Sequence, residues 1–185
     1  MRDDGYAREQ KIRQAAIHEA GHIVAAFAYV QGGPVLATIK PGPDADLGRV
    51  HCSDASTGFD PPNSSLSRES HLVGLVRLSL AGIAAEQLAR DQAWSREFIA
   101  RIVGNETNLD GVLATEYARA LEVDSVTACL VSEHETTVRF LKRNWSHVET
   151  FAEALLRRGT LDQQDLAAIR DGLPPIVAND GPSIE

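Results

Sequence analysis

Apolar residues along the chain recur mostly at three- and four-residue steps, the period of one face of an α-helix, in blocks separated by turn-forming residues. In the first block, residues 6–30, Ile12, Ala16, Ile23, Ala26, Phe27 and Val30 keep that period until Gly32-Gly33-Pro34 stops it, which predicts one long helix. Residues 35–39 and 48–52 differ: β-branched residues bounded by turn formers such as Pro41-Gly42-Pro43 predict two short strands or a hairpin, the only strand-like part of the chain. Residues 54–65 are rich in Ser, Pro, Gly, Asp and Asn and predict a weakly ordered surface loop, long enough to face a substrate. A serine-rich start then leads into Leu72, Leu75, Val76, Leu78, Ile83, Ala84 and Leu88, so apolar a helix that it is expected at the centre of the core and to end near Arg90.

Further helices are expected over residues 95–103, 108–123, 124–145 and 146–158, with Gly159 closing the last of these. A final helix over 160–171 has Thr160 and Gln163 at capping-box spacing and Gly172 at its end. The pattern as a whole predicts a mainly α fold: a single helical domain over residues 1–172, with a small β-hairpin or short sheet after the first helix. A flexible, proline-containing tail is expected over 173–185.

Composition narrows the function. A chain of 185 residues with 43% hydrophobic content can bury one good core, and a net charge of −8 repels phosphate backbones and anionic lipid, so no nucleic acid partner is expected. No run approaches the roughly 20 apolar residues of a membrane helix, and residues 1–8 are polar; a cytoplasmic protein with no membrane segment is expected. Cys52 and Cys129 lack a CxxC pattern and read as reduced thiols. The acidic run Glu133 to Glu135 reads as a solvated helix face.

The chemistry concentrates in His18-Glu19-Ala20-Gly21-His22, an HExxH pattern inside the first helix. The four-residue spacing puts both imidazoles on one face, with Cβ atoms roughly 5–6 Å apart, from where both reach one ion at about 2.0–2.1 Å. Glu19 points about 100° round the helix, beside the metal rather than on it, in the position of a general base. Gly21 allows a second backbone to approach closely. A catalytic zinc usually has three protein ligands, so a third must come from downstream. Glu86, Glu106, Asp110, Glu116, His71 and His134 are all candidates, and spacing does not choose among them. The other histidines, His51 and His147 included, read as exposed or hydrogen-bonded structural groups, with His51 in the strand block the least ordinary.

The chain resembles the peptidase domain of FtsH-type AAA zinc proteases. His18 to His22 reproduce that family's HEAGH; Thr38-Ile39-Lys40-Pro41-Gly42 and Leu47-Gly48 are similar to its TIIPRG and LGY segments; and Ala81-Gly82-Ile83-Ala84-Ala85-Glu86-Gln87-Leu88 is similar to its GGRAAEEL. Asp110-Gly111-Val112-Leu113-Ala114-Thr115, with Ala118-Arg119, resembles DLxxAT followed by AR, and Leu155-Leu156 to Leu161 resembles LLxxETL, so the likeness runs over about residues 10–170. It implies that Asp110 is the third zinc ligand. Glu86 is then read as a carboxylate that hydrogen-bonds a ligand histidine or a helix end. Ile83, Leu109 and Gly111 depart from the family's arginine, asparagine and leucine, and residues 104–108 replace its GASN.

The resemblance implies a zinc-dependent peptidase acting on unfolded or loose polypeptide, with Glu19 catalytic; residues 35–39, read as a strand, are a candidate to hold substrate as an added strand. The lysines Lys11, Lys40 and Lys142 all lack a preceding glycine, so there is no Walker A motif; the chain is expected to act without ATP, to rely on a separate ATPase or unfoldase partner, or to be a piece of a larger protein. Homo-oligomers are expected from the family's rings. The competing readings are a catalytically silent assembly or adaptor module that keeps the fold, and a zinc hydrolase of a non-protein amide.

Overall fold

The structure is a computed structural model, and it describes residues 3–41, 48–53, 57–60, 66–92, 97–99 and 108–178. It is mainly helical with a small antiparallel sheet. The order is α1 (Asp3–Tyr29), β1 (Pro34–Thr38), β2 (Arg49–Cys52), α2 (Arg68–Ala89), α3 (Leu109–Ala120), α4 (Val126–Arg143), α5 (Trp145–Arg158), β3 (Thr160–Asp162) and α6 (Gln163–Asp171). Most of the loop expected over 54–65, and the segment 100–107 within which Glu106 falls, lie outside the described residues.

Two helices carry the architecture. α1 and α2 pack on each other at a very short distance, because a Cβ on Gly21 would meet the Ala81 carbonyl oxygen at 2.5 Å and the Ala85 Cβ at 2.8 Å. Only a glycine lets the two backbones come so close, as the sequence suggested. One core cluster joins the inner face of α1 (Ala16, Ala20, Ile23, Val24) to Phe151 and Leu155 of α5. The other lies under Leu72, Leu75, Val76 and Leu80 of α2, against α3 and α4. Among the described residues α2 alone has the length and composition to cross a membrane, a property the apolar-run argument missed; 72% of its apolar window is buried here, so packing within the fold accounts for its hydrophobicity.

The sheet corrects two expectations. β3 is a third strand, so the chain's strands are not confined to the block after α1; Leu36, Ala37 and Thr38 pair with Asp162, Leu161 and Thr160. Residue 160 therefore belongs to a strand, and α6 is opened by Asp162, whose side chain accepts from the Asp165 amide (2.9 Å) in a capping box. The order β2-β1-β3 also puts β1 in the middle. With both edges taken over Leu36, Ala37 and Thr38, that stretch has no free edge for an added strand; among the described strands the outer ones are β2 and β3. Gly159, between α5 and β3, adopts φ +74° and closes α5 as expected.

At two places polar contacts also differ from expectation. Glu133 is not simply solvated: its carboxylate accepts a 2.6 Å hydrogen bond from Arg77 of α2, and both side chains are largely buried. The stretch expected to fray from residue 173 is held as far as Val177, whose amide and carbonyl bond the Asn144 side chain (3.0 and 3.1 Å), while His147 Nε2 donates to the Pro174 carbonyl (2.8 Å).

His134 is fully buried on α4, and burial pushes its pKa down to about 4. A histidine whose folded pKa lies below its unfolded value near 6.5 contributes stability that is complete above that value and is lost as pH falls toward 4. Between pH 7 and pH 4 the wild type should therefore lose about 3 kcal/mol more than His134→Gln, by urea unfolding at the two pH values. Parallel losses in the two proteins would mean that His134 is not held neutral.

Candidate metal centre

The closely packed α1–α2 pair builds most of the centre. Gln14, His18 and His22, one helical turn apart on α1, face Glu86, Gly82 and Leu78, one turn apart on α2 in the opposite direction. At one end Gln14 donates its amide to Glu86 Oε2. In the middle His18 Nδ1 meets Glu86 Oε1 at 2.7 Å. At the other end His22 Nδ1 meets the Leu78 carbonyl oxygen at 2.8 Å. The carbonyl and the carboxylate are acceptors, so each Nδ1 carries the hydrogen and each Nε2 presents a lone pair.

The two lone pairs converge. His18 Nε2 and His22 Nε2 lie 3.1 Å apart, and Asp110 Oδ2 lies 3.0 Å from the first and 3.3 Å from the second. Asp110 reaches them from the first turn of α3, which is fixed by Asn108: the Asn108 side chain accepts from the Gly111 amide at 3.0 Å. The positive end of the α3 dipole favours a carboxylate there. With both imidazoles neutral, three acceptor atoms face one another, an arrangement that is relieved by a proton on a ring nitrogen or by a metal cation between them. Their separations approximate one face of a tetrahedron about an ion with bonds of about 2.0–2.1 Å, whose edges would be about 3.3–3.4 Å. His18, His22 and Asp110 can hold a metal ion.

The electrostatics carry the same sign. Burial disfavours charge on His18, but hydrogen bonds to Asp110 and Glu86 outweigh it and raise the imidazole to about 10. Burial likewise works against an ionised Asp110, yet the charge of His22 and the hydrogen bonds of both imidazoles hold its carboxyl far below the usual range. The pocket is built for positive charge at its centre, supplied by protons when nothing else is bound.

Glu19 is buried at 6% exposure and stands outside the three converging atoms. Burial raises its pKa, with the His22 and His18 charges opposing. Its carboxylate lies directly against Gly48, where a Cβ would come within 2.8 Å of its Cδ. It is therefore placed beside the centre with a protonation equilibrium that burial has moved toward neutrality.

Of the other candidates for the third position, Glu86 hydrogen-bonds His18 from behind and is itself held by Gln14 and, at 3.1 Å, by Arg90. Glu116 is exposed on α3, His71 Nε2 donates to the Gly58 carbonyl at 2.7 Å, and His134 is in the core. Sequence reasoning missed the role of Gly82, where a Cβ would fall on the Nε2 atoms of both histidines. The signal was there as a glycine in the interior of an apolar helix, which normally has a packing or functional reason. Arg49, whose charge favours ionised Glu19, was missed as well. No protein-family model matches the sequence, and no curated protein matches it.

Proposed function

We propose that this protein is a zinc-dependent metalloendopeptidase that hydrolyses peptide bonds in unfolded or loose polypeptide, with His18, His22 and Asp110 holding the ion and Glu19 as general base. The observation that carries this reading is the convergence of two imidazole lone pairs and one carboxylate oxygen within 3.0–3.3 Å, with buried Glu19 beside them on the same helix. The ligand types suit zinc, and two nitrogens with one oxygen leave a position open for reaction. A zinc ion there would supply Lewis acidity, polarising the scissile carbonyl and making a water molecule acidic enough to attack it. Glu19 accepts the proton of the attacking water and delivers it to the leaving amine. Burial favours the protonated state that Glu19 must pass through between the two transfers. Glu86 and the Leu78 carbonyl keep the two imidazoles in the required tautomer.

The resemblance to FtsH-type peptidases supports the same assignment, because the three ligands its motifs imply, His18, His22 and Asp110, are the three whose ligand atoms converge, with Glu19 on the same helix as the two histidines. The substrate in this reading is a chain already unfolded, or one delivered by an ATPase. The adaptor reading has less support, since a purely structural ion has no use for a buried carboxylate beside it.

The test is metal removal. Stripped with a chelator, the protein should cleave no unfolded substrate such as reduced casein, and one equivalent of zinc per chain should restore cleavage. Stoichiometric zinc without cleavage would favour the adaptor module, and cleavage of small amides alone would favour a non-protein substrate. Failure to bind zinc would undo the metal site itself.

A further inference from the structure

β2 leaves the centre at Gly48, whose backbone touches Glu19, and its side chains then alternate. Val50 and Cys52 are partly buried against the two cores, whereas Arg49 and His51 are exposed on the opposite face. The two basic side chains are thus neighbours on one face of a strand, roughly 6–7 Å apart along it. Arg49 lies across from Thr38, and its charge reaches Glu19, which it favours in the ionised form. Among the described residues no carboxylate is in ion-pair contact with Arg49. β2 is also an outer strand of the sheet, so its far edge is not occupied by β1 or β3.

In a chain of net charge −8, a guanidinium and an imidazole side by side next to the general base form a local exception. Their size decides what they suit. Two groups match one or two carboxylates, whereas a nucleic acid backbone needs many more phosphate contacts to overcome the repulsion of an acidic protein. A polypeptide lying along the edge of β2 turns alternate side chains toward the face that carries Arg49 and His51.

We propose that Arg49 and His51 form a specificity subsite for acidic side chains of a polypeptide substrate lying along β2. This rests on the peptidase reading for the nature of the substrate. The subsite selects carboxylates at alternate positions on one side of the scissile bond, and it acts on binding rather than on the chemical step.

The test uses acetylated, amidated fluorogenic peptides in which a single Glu is walked along the sequence, each paired with its Gln counterpart. Cleavage is measured with zinc-loaded wild type and Arg49→Gln, and binding by fluorescence anisotropy with zinc-loaded Glu19→Gln, with and without Arg49→Gln. The Glu peptides should be preferred by about 2- to 5-fold, in KM and Kd and not in kcat, as befits exposed charge pairs. The preference should alternate with position and shrink at high salt. Arg49→Gln should bring the Glu-to-Gln ratio close to one, Arg49→Glu should invert it, and His51→Gln should weaken it. Equal affinity for the paired peptides, no saturable binding of either, or a preference that survives Arg49→Gln overturns the subsite. Selective binding by Glu19→Gln when wild type cleaves neither peptide keeps the subsite and removes the peptidase reading.

Discussion

Glu19→Gln should bind one zinc per chain, as the wild type does, and lose proteolysis of unfolded substrate by about 10²- to 10⁴-fold in kcat. Glutamine matches glutamate in size, so it fills the same buried space against Gly48 and leaves His18, His22 and Asp110 in place. What it removes is the ability to take a proton from water and return it to the leaving amine. Because that contribution is made in the transition state, kcat should fall and KM should hardly change. The comparison needs zinc content and proteolysis measured on the same samples. Cleavage by Glu19→Gln at the wild-type rate would remove Glu19 as the base, whereas loss of zinc along with activity would show that the carboxylate shapes the metal site itself.

The parts of this centre that were legible in the sequence are those carried by one element. His18, Glu19 and His22 share a single helix, and the helical period converts a four-residue spacing directly into a shared face. Asp110 lies 92 residues from His18, and nothing local ties them; its position depends on how α3 is set against α1 and α2. Only the family resemblance singled it out, and the structure brings it to both imidazoles. The support behind the imidazoles was the least legible. Leu78 contributes a backbone carbonyl, which no residue type signals, and Gly82 contributes the absence of a side chain.

The same distinction explains the fold. Helices of high periodicity were readable, and even the close approach at Gly21 followed from residue type. The third strand was not readable, because three residues carry too little alternation to register and because two capping signals overlap there. Thr160 with Gln163 and Asp162 with Asp165 both have the spacing of a cap; pairing of residues 160–162 with β1 decides for the second. Glu133 followed the same logic: its partner, Arg77, is 56 residues away on another helix.

Gly82→Ala should abolish the centre without unfolding the protein. A Cβ at this position falls on the Nε2 atoms of both His18 and His22, the two atoms that must share an ion. α2 cannot retreat, since Gly21 already holds the α1 and α2 backbones at their closest approach near Ala81. The imidazoles must move instead, and each is tied at Nδ1 to a fixed acceptor on α2, so the movement breaks the tautomer control as well. Zinc affinity should therefore fall by at least about 100-fold, the upper end of what losing one supporting partner costs, because here both histidines are displaced together. The stability of the metal-free chain should change much less. Alanine is favoured over glycine inside a helix by roughly 0.5–1 kcal/mol, which offsets part of an overpacking cost of about 1–3 kcal/mol. Zinc titration against a competing chelator, with circular dichroism of the metal-free protein, separates the two effects. Wild-type zinc affinity in a folded Gly82→Ala protein would mean that the two imidazoles do not bind the ion through the atoms that face Gly82, and the site would have to be rebuilt around their other nitrogens.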